Sequence, residues 1–142
     1  MSTLDVLAQH QGDWSGTNKL WFEDPDKAEE SPGTLCVAGN QIQVTWAFRG
    51  AAQQGVLTVA QIEDSVSVSW TDSWHAGEGM DFTGEAFADA IDVFGTYPAG
   101  DGPDWGWRIV LDLEDPDRLL LRMYNITPDG DEMIAVELDG VR

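Results

Sequence analysis

The sequence predicts an all-β fold, a closed antiparallel up-and-down barrel of nine to ten strands with a short N-terminal helix. Three observations predict it: apolar and polar residues alternate along most of the chain, turn sequences recur about every ten residues, and no helical segment separates the strands. A meander of this kind leaves two exposed edges unless its first and last strands pair, so we expect the sheet to close. The 142 residues are expected to form one domain, 1–142.

The first residues predict a helix of a couple of turns. Ser2 or Thr3 can cap its N-terminus, and Asp5 lies in the first turn, where the partial positive charge of the helix end favours an acid. Leu4 and Leu7 fall on one face of this helix.

Nine or ten segments then show the alternation of a strand with one apolar face. The clearest are 65–72, where valines and a tryptophan alternate with polar residues, and 41–48, where polar residues alternate with branched and aromatic ones. Further strands are predicted at 14–22, 34–38, 54–62, 80–87, 91–97, 105–113, 118–126 and 133–139. Turn residues separate them, and longer loops are predicted at 24–33 and 98–103.

The chain is strongly acidic, with 7 Lys and Arg against 26 Asp and Glu and a formal net charge of −19. A nucleic-acid-binding protein needs cations to displace the counterions of phosphates, and an anionic membrane surface also attracts cations. We therefore expect neither nucleic acid nor membrane as a partner.

Cysteine content and the N-terminal sequence indicate a cytoplasmic protein. Cys36 is the one cysteine, so no intrachain disulfide can form, which fits a reducing compartment. The N-terminal residues lack the basic and apolar regions of a signal peptide, and no apolar run approaches the about 20 residues that span a bilayer.

The first predicted strand contains Gly12-Asp13-Trp14-Ser15-Gly16, which resembles the G-x-W signature of the calycin superfamily of lipocalins, avidins and fatty-acid-binding proteins. More narrowly, the chain is similar to a bacterial calycin family known only as a domain of unknown function. The resemblance implies that Trp14 closes one end of the barrel and that a basic residue packs across its ring. The matching basic residue is Arg142, with Arg122 as the other candidate.

A looser similarity concerns the ligand. Fatty-acid-binding proteins hold a ligand carboxylate with an Arg-x-Tyr pair on the last strand and a further arginine, which Arg122, Tyr124 and Arg108 resemble. The sequence departs from that pattern because another predicted strand, 133–139, follows. The alternative is that these arginines face outward and pair with acids, although Asp112, in phase with Arg108, could also be an internal partner.

The chain contains seven tryptophans, most of them on predicted strands or at strand ends and in phase with apolar neighbours. They fit either the wall of a ligand cavity or a solid, packed interior, and the sequence leaves both open. The candidate ligand-binding residues are Arg108, Arg122, Tyr124, Trp46, Trp70, Trp105 and Trp107, with Trp74 at the end of a strand.

His75 is a candidate for a haem ligand or a catalytic base. Nitrobindin-type calycin barrels, which bind haem through a histidine, resemble this layout, but they carry a glycine where this chain has Asn18. Their ligand histidine also lies near the C-terminus, and no histidine follows His75 here. His10, in the N-terminal segment, is the other candidate. Histidine or cysteine clusters with metal-ligand spacing and nucleophile motifs are absent from the sequence, so we expect no cofactor.

These observations favour a binding protein over an enzyme. The favoured hypothesis is a cytoplasmic barrel that holds a small, mainly hydrophobic molecule, with an acidic head group as one option. The alternatives are a haem-binding or enzymatic barrel that uses His75, and a filled barrel that acts as a structural or interaction module and forms a homodimer.

Overall fold

Ten antiparallel strands close into one barrel in the computed structural model, which describes residues 2–22, 24, 26–73 and 79–142. Helix α1 spans Thr3–Ala8 and precedes the strands. The strands are β1 (Gly12–Trp21), β2 (Ala28–Ala38), β3 (Gln41–Phe48), β4 (Ala51–Ile62), β5 (Ser65–Asp72), β6 (Met80–Glu85), β7 (Ala90–Tyr97), β8 (Trp105–Asp112), β9 (Arg118–Ile126) and β10 (Glu132–Val141). Each strand pairs with its neighbours in sequence, and β1 pairs with β10 from Ser15↔Val141 to Leu20↔Val136, which closes the ring. The predicted fold class is confirmed.

The alternation read from the sequence places the apolar residues inside. In β3, Ile42, Val44 and Trp46 are buried while the residues between them are exposed. The core inside the barrel is continuous, and side chains such as Leu57, Phe82 and Ile109 fill its middle. The interior therefore resembles a packed core over most of its length rather than a deep cup.

One predicted loop is a strand. The sequence predicts a loop at 24–33, but β2 already begins at Ala28, and Pro32 lies opposite Thr17 of β1. Pairing with β3 starts only at Thr34, so the missing N–H of Pro32 disrupts no pairing on that side. The acidic pair Glu29-Glu30 does not look like a strand in the sequence, and the pairing with β1 places it in one.

Helix α1 closes one end of the barrel, which we call the closed end. The Ser2 hydroxyl accepts a hydrogen bond from the Asp5 N–H, and the Asp5 carboxylate accepts one from the Ser2 N–H, each at 3.1 Å. These bonds also lower the pKa of Asp5, the Ser2 backbone bond being the larger cause. Leu7, on the inner face of the helix, is fully buried, and the Thr3 hydroxyl donates to the carbonyl of Phe87 in the loop between β6 and β7.

Candidate functional site

A cavity of about 60 Å³ lies at the other end of the barrel, which we call the open end. Its lining comes from six strands and is almost entirely apolar: Asn18, Leu20, Val44, Trp46, Trp70, Asp72, Trp107, Met123 and Val136. Trp70, Trp107 and Val136 are only half-buried, so the cavity reaches the mouth of the barrel.

Three of the sequence-predicted tryptophans come together in this lining. The rings of Trp46 and Trp70 stack with centroids 6.3 Å apart and an angle of 23° between their planes. Trp107 reaches the same cavity from β8. Trp105 is half-buried at the start of β8 and does not line the cavity, and Trp74 lies outside the described residues.

The position of the Trp70 ring is fixed from two directions. Its Nε1 donates a hydrogen bond to Oδ2 of Asp72, with 2.6 Å between the two atoms. Its ring lies directly over Gly55 of β4, where a Cβ would come within 2.2 Å of Cη2. The glycine therefore makes the space that the indole occupies.

Asn18 is the residue that the sequence analysis missed as a candidate. Its side chain is 1% exposed, and its Nδ2 has no hydrogen-bond partner in the part of the chain that the structure describes. A buried, unsatisfied amide of this kind costs about 1–3 kcal/mol. The signal was present in β1, because Trp14, Gly16, Asn18 and Leu20 occupy alternate positions and therefore point to one face.

Gly33 of β2 makes room beside this amide. A Cβ at Gly33 would lie 3.1 Å from the Cβ of Asn18 and 2.7 Å from Cδ1 of Leu138. Asn18 is therefore closely packed on its strand side, and it is also one of the residues that line the cavity.

Arg108 lies on the outer face of the barrel. Its guanidinium donates two hydrogen bonds to Asp92, at 2.8 and 2.7 Å, and one at 3.0 Å to Glu132. The hydrogen bonds to Asp92 are the largest cause of a raised pKa at Arg108, which keeps the group charged. Asp112 is exposed and is not its partner.

Arg122 and Tyr124 lie on the outer face as well. The Nε of Arg122 donates to Oε2 of Glu137 at 3.0 Å. The centre of the Tyr124 ring lies 5.6 Å from the guanidinium carbon of Arg108. This corrects the fatty-acid-binding analogy, because the inward positions of β9 are occupied by Leu119, Leu121 and Met123. Alternation then turns the Arg-x-Tyr pair outward, where the expected carboxylate clamp cannot serve the interior.

Trp14 and Arg142 meet at the closed end. The guanidinium carbon of Arg142 lies 4.3 Å from the centre of a Trp14 ring that is almost fully buried. Arg142 also donates to the carbonyls of Gln9, Gln11 and Pro116 at 3.2, 3.1 and 2.9 Å. Arg122, the other candidate for this role, instead pairs with Glu137. Arg142 thus joins the end of β10 to the segment after α1 and to the loop between β8 and β9, at the end of the barrel opposite the cavity.

Of the two histidines, the structure describes His10 but not His75. His75 lies outside the described residues, so its proposed role stays a prediction. His10 is buried, with its two ring nitrogens 3.0 Å from the carbonyl oxygens of Val6 and Asp115. The N–H of the neutral ring donates to one of these two carbonyls, according to its tautomer. The Trp14 ring stacks on the His10 ring at the closed end, with 5.6 Å between the ring centroids.

Metal-ligand and thiol chemistry find little support in the described ranges. No cluster of three or more His, Cys, Asp or Glu side chains there could hold a metal ion. Cys36 is half-buried, and a hydrogen bond to Asp13 is the main cause of a raised pKa of its thiol. A raised pKa disfavours the reactive thiolate.

Comparison with known proteins identifies a family but no activity. Residues 2–142 match the family described as "Protein of unknown function (DUF1579)". No curated protein matches the chain. Within the described residues, none of the helices has the length and apolar character needed to cross a membrane.

Proposed function

Because the chain belongs to the DUF1579 family, whose function is unknown, we propose from the cavity alone that the protein binds a small, mainly apolar molecule at the open end of the barrel. The observation that carries the proposal is the convergence of Trp46, Trp70 and Trp107 on a void that the core leaves unfilled. Indoles offer a large, rigid and apolar contact surface, which suits recognition of a flat or aliphatic group.

The size of the cavity limits what enters it. A volume of about 60 Å³ is well below that of a cavity of about 150 Å³, which holds benzene, and drug-sized ligands need about 300 Å³ or more. The bound molecule therefore inserts one small end, and its remainder rests against the half-buried Trp70 and Trp107 at the mouth.

The lining supports binding better than catalysis. Its one titratable side chain among the described residues is Asp72, whose carboxylate accepts the hydrogen bond of the Trp70 indole. Serine, cysteine, histidine and lysine are absent from that described lining. Nucleophilic catalysis requires a nucleophile with a base within reach of it, and general acid–base catalysis requires a titratable group within hydrogen-bond reach of the proton that it transfers.

A graded titration tests the proposed function. Toluene, indole, naphthalene and a long-chain fatty acid are added to the protein while the indole N–H resonances and the tryptophan emission are recorded. We expect the small aromatic probes to shift both signals in a saturable way. Trp107→Leu should weaken their binding about tenfold, since losing part of an aromatic wall costs roughly 1.4 kcal/mol.

The matched control removes an aromatic side chain from the other face of the sheet. Phe94 is 46% exposed on β7 and does not line the cavity. Phe94→Leu should leave the affinity of the protein for each of the four probes unchanged. Titrations that stay flat for all probes with the wild-type protein would refute the proposed function.

The filled barrel middle favours a second candidate, a structural or interaction module that forms a homodimer. The apolar residues exposed on the described surface, including Ile62 at 74% and Phe94 at 46%, offer contact points for a partner. Sedimentation at several protein concentrations tests it. A monomer that binds the small aromatic probes supports the first candidate, and a dimer that binds none supports the second.

We also propose that the barrel is a divergent calycin that acts in the cytoplasm. The glycine and tryptophan of Gly12-Asp13-Trp14, the short helix before them and the Arg142 guanidinium over the Trp14 ring support the relationship. The single cysteine, Cys36, supports the compartment.

A further inference from the structure

We infer that Asn18 selects the ligand, and that the occupant of the cavity is a neutral carbonyl compound (a ketone, aldehyde, ester or amide) whose oxygen accepts a hydrogen bond from Nδ2. The inference rests on the proposed function of this cavity and names the chemistry that the cavity recognises.

The first step is the unused donor. Asn18 is 1% exposed, and its Nδ2 finds no partner among the residues that the structure describes. Apart from Asp72, the rest of the described lining is apolar or aromatic. A site with a buried donor favours a molecule that supplies an acceptor and rejects an analogue of the same shape that lacks one.

The second step is charge. The described lining contains an acid, Asp72, and no lysine, arginine or histidine. Arg108 and Arg122 are on the outer face, paired with carboxylates. A ligand carboxylate would therefore enter without a counter-ion, in a protein with a net charge of −19. An ammonium group has no lone pair to offer the amide. A neutral group with an acceptor oxygen needs no counter-ion and can accept the hydrogen bond of the amide.

The third step is shape. The cavity takes only a few non-hydrogen atoms at its present volume of about 60 Å³, which a carbonyl group with one small substituent can occupy. The stacked rings of Trp46 and Trp70 form one flat wall of the space. A planar group conjugated with the carbonyl is therefore the best fit for the part that follows it.

Three probes that share a phenyl ring test the inference. Acetophenone presents a carbonyl oxygen, α-methylstyrene replaces that oxygen with a CH₂ group of the same geometry, and benzoate carries a charge. We expect the wild-type protein to bind acetophenone at least tenfold more tightly than α-methylstyrene, and benzoate least tightly. The side-chain NH₂ resonances of Asn18 should shift with acetophenone and stay in place with α-methylstyrene.

Asn18→Leu is the decisive variant, because leucine keeps nearly the same shape and removes the donor. The preference should disappear in this variant, with α-methylstyrene binding at least as tightly as acetophenone. Its denaturation midpoint should not fall, because no buried donor is left unsatisfied. Trp107→Leu is the matched control. It should weaken the binding of acetophenone and of α-methylstyrene by the same factor, so the ratio of the two affinities should not change.

The outcomes separate this inference from the proposed function. Equal binding of acetophenone and α-methylstyrene by the wild-type protein, or an unchanged ratio in Asn18→Leu, overturns the role of Asn18 and leaves the cavity as a binding site. If benzoate binds more tightly than acetophenone, the inference that the ligand is neutral is overturned. Failure of all three probes to bind overturns the proposed function itself.

Discussion

Gly55 lies beneath the Trp70 ring, and the absence of a side chain there lets the ring approach the β4 backbone. A Cβ at this position would meet Cη2 at 2.2 Å and Cζ2 at 2.5 Å. The ring cannot easily yield, because it also stacks on Trp46 and donates to Asp72. One glycine thus sets the position of one wall of the cavity.

We expect Gly55→Ala to lower the free energy of unfolding by about 1–3 kcal/mol, because the added methyl group overpacks a constrained site. It should also move the Trp70 ring and weaken probe binding. Urea unfolding and the indole N–H resonance of Trp70 measure the two effects. Gly102→Ala is the control, since the nearest atom to its Cβ would be a carbonyl oxygen at 3.8 Å. Equal stability of the two variants would contradict the packing argument.

At single residues, the sequence predicted the tryptophans of the site better than its polar groups. Trp46, Trp70 and Trp107 were candidates because they alternate in phase with apolar neighbours. Alternation groups residues onto two faces but does not say which face is inside when both contain apolar residues. In β9, Leu119, Leu120 and Leu121 are consecutive and all buried, so the side on which Arg122 lies could not be read from the pattern.

Among the elements, helix α1 and the closed end depend on a contact between distant parts of the chain. Arg142 covers Trp14 and bonds to carbonyls of the segment after α1 and of the loop between β8 and β9. Since these segments are far apart in sequence, the contact ties β10 and the loop before β9 to the helix.

Arg142→Ala should lower the free energy of unfolding by about 1–2 kcal/mol, from the loss of the cation–π contact and of hydrogen bonds from a charged donor. Arg142→Lys keeps the charge but not the planar fork, so it should recover only part of the loss. Chemical denaturation measures both variants, and probe binding at the open end should stay intact in each. An alanine variant as stable as the wild-type protein would show that the contact contributes nothing.

Strand β2 marks the limit of prediction for elements. The sequence indicated a strand only at 34–38, because the residues from Ala28 to Gly33 are mostly charged or small and show no clean alternation. The structure extends the strand to Ala28 by pairing it with β1 up to Trp21. Pairing with a neighbour decided this element, and local propensity cannot report such pairing.

The charge of −19 acts on the whole molecule. The ion pairs of the described residues, such as Arg118–Asp139 at 2.7 Å, lie at the surface and offset little of the repulsion among the excess acids. The folded state brings these acids closer together than the unfolded chain does, so their repulsion lowers stability.

Near neutral pH, raising sodium chloride from dilute buffer to about 1 M should therefore increase the melting temperature by several degrees, because salt screens exposed charges. Near the sequence pI of about 4.1 the same salt step should have a much smaller effect. Scanning calorimetry at both pH values measures the difference. A melting temperature that does not change with salt at neutral pH would contradict the argument that repulsion among the acids lowers stability.

The seam between β1 and β10 has a consequence for synthesis. The first strand of the ring leaves the ribosome long before its partner Glu132–Val141 has been translated. Until then a nascent chain with nine strands has two free edges, each able to capture a strand of another molecule. Cells that make this protein quickly must either finish it before such encounters occur or shield the growing chain until the ring is sealed.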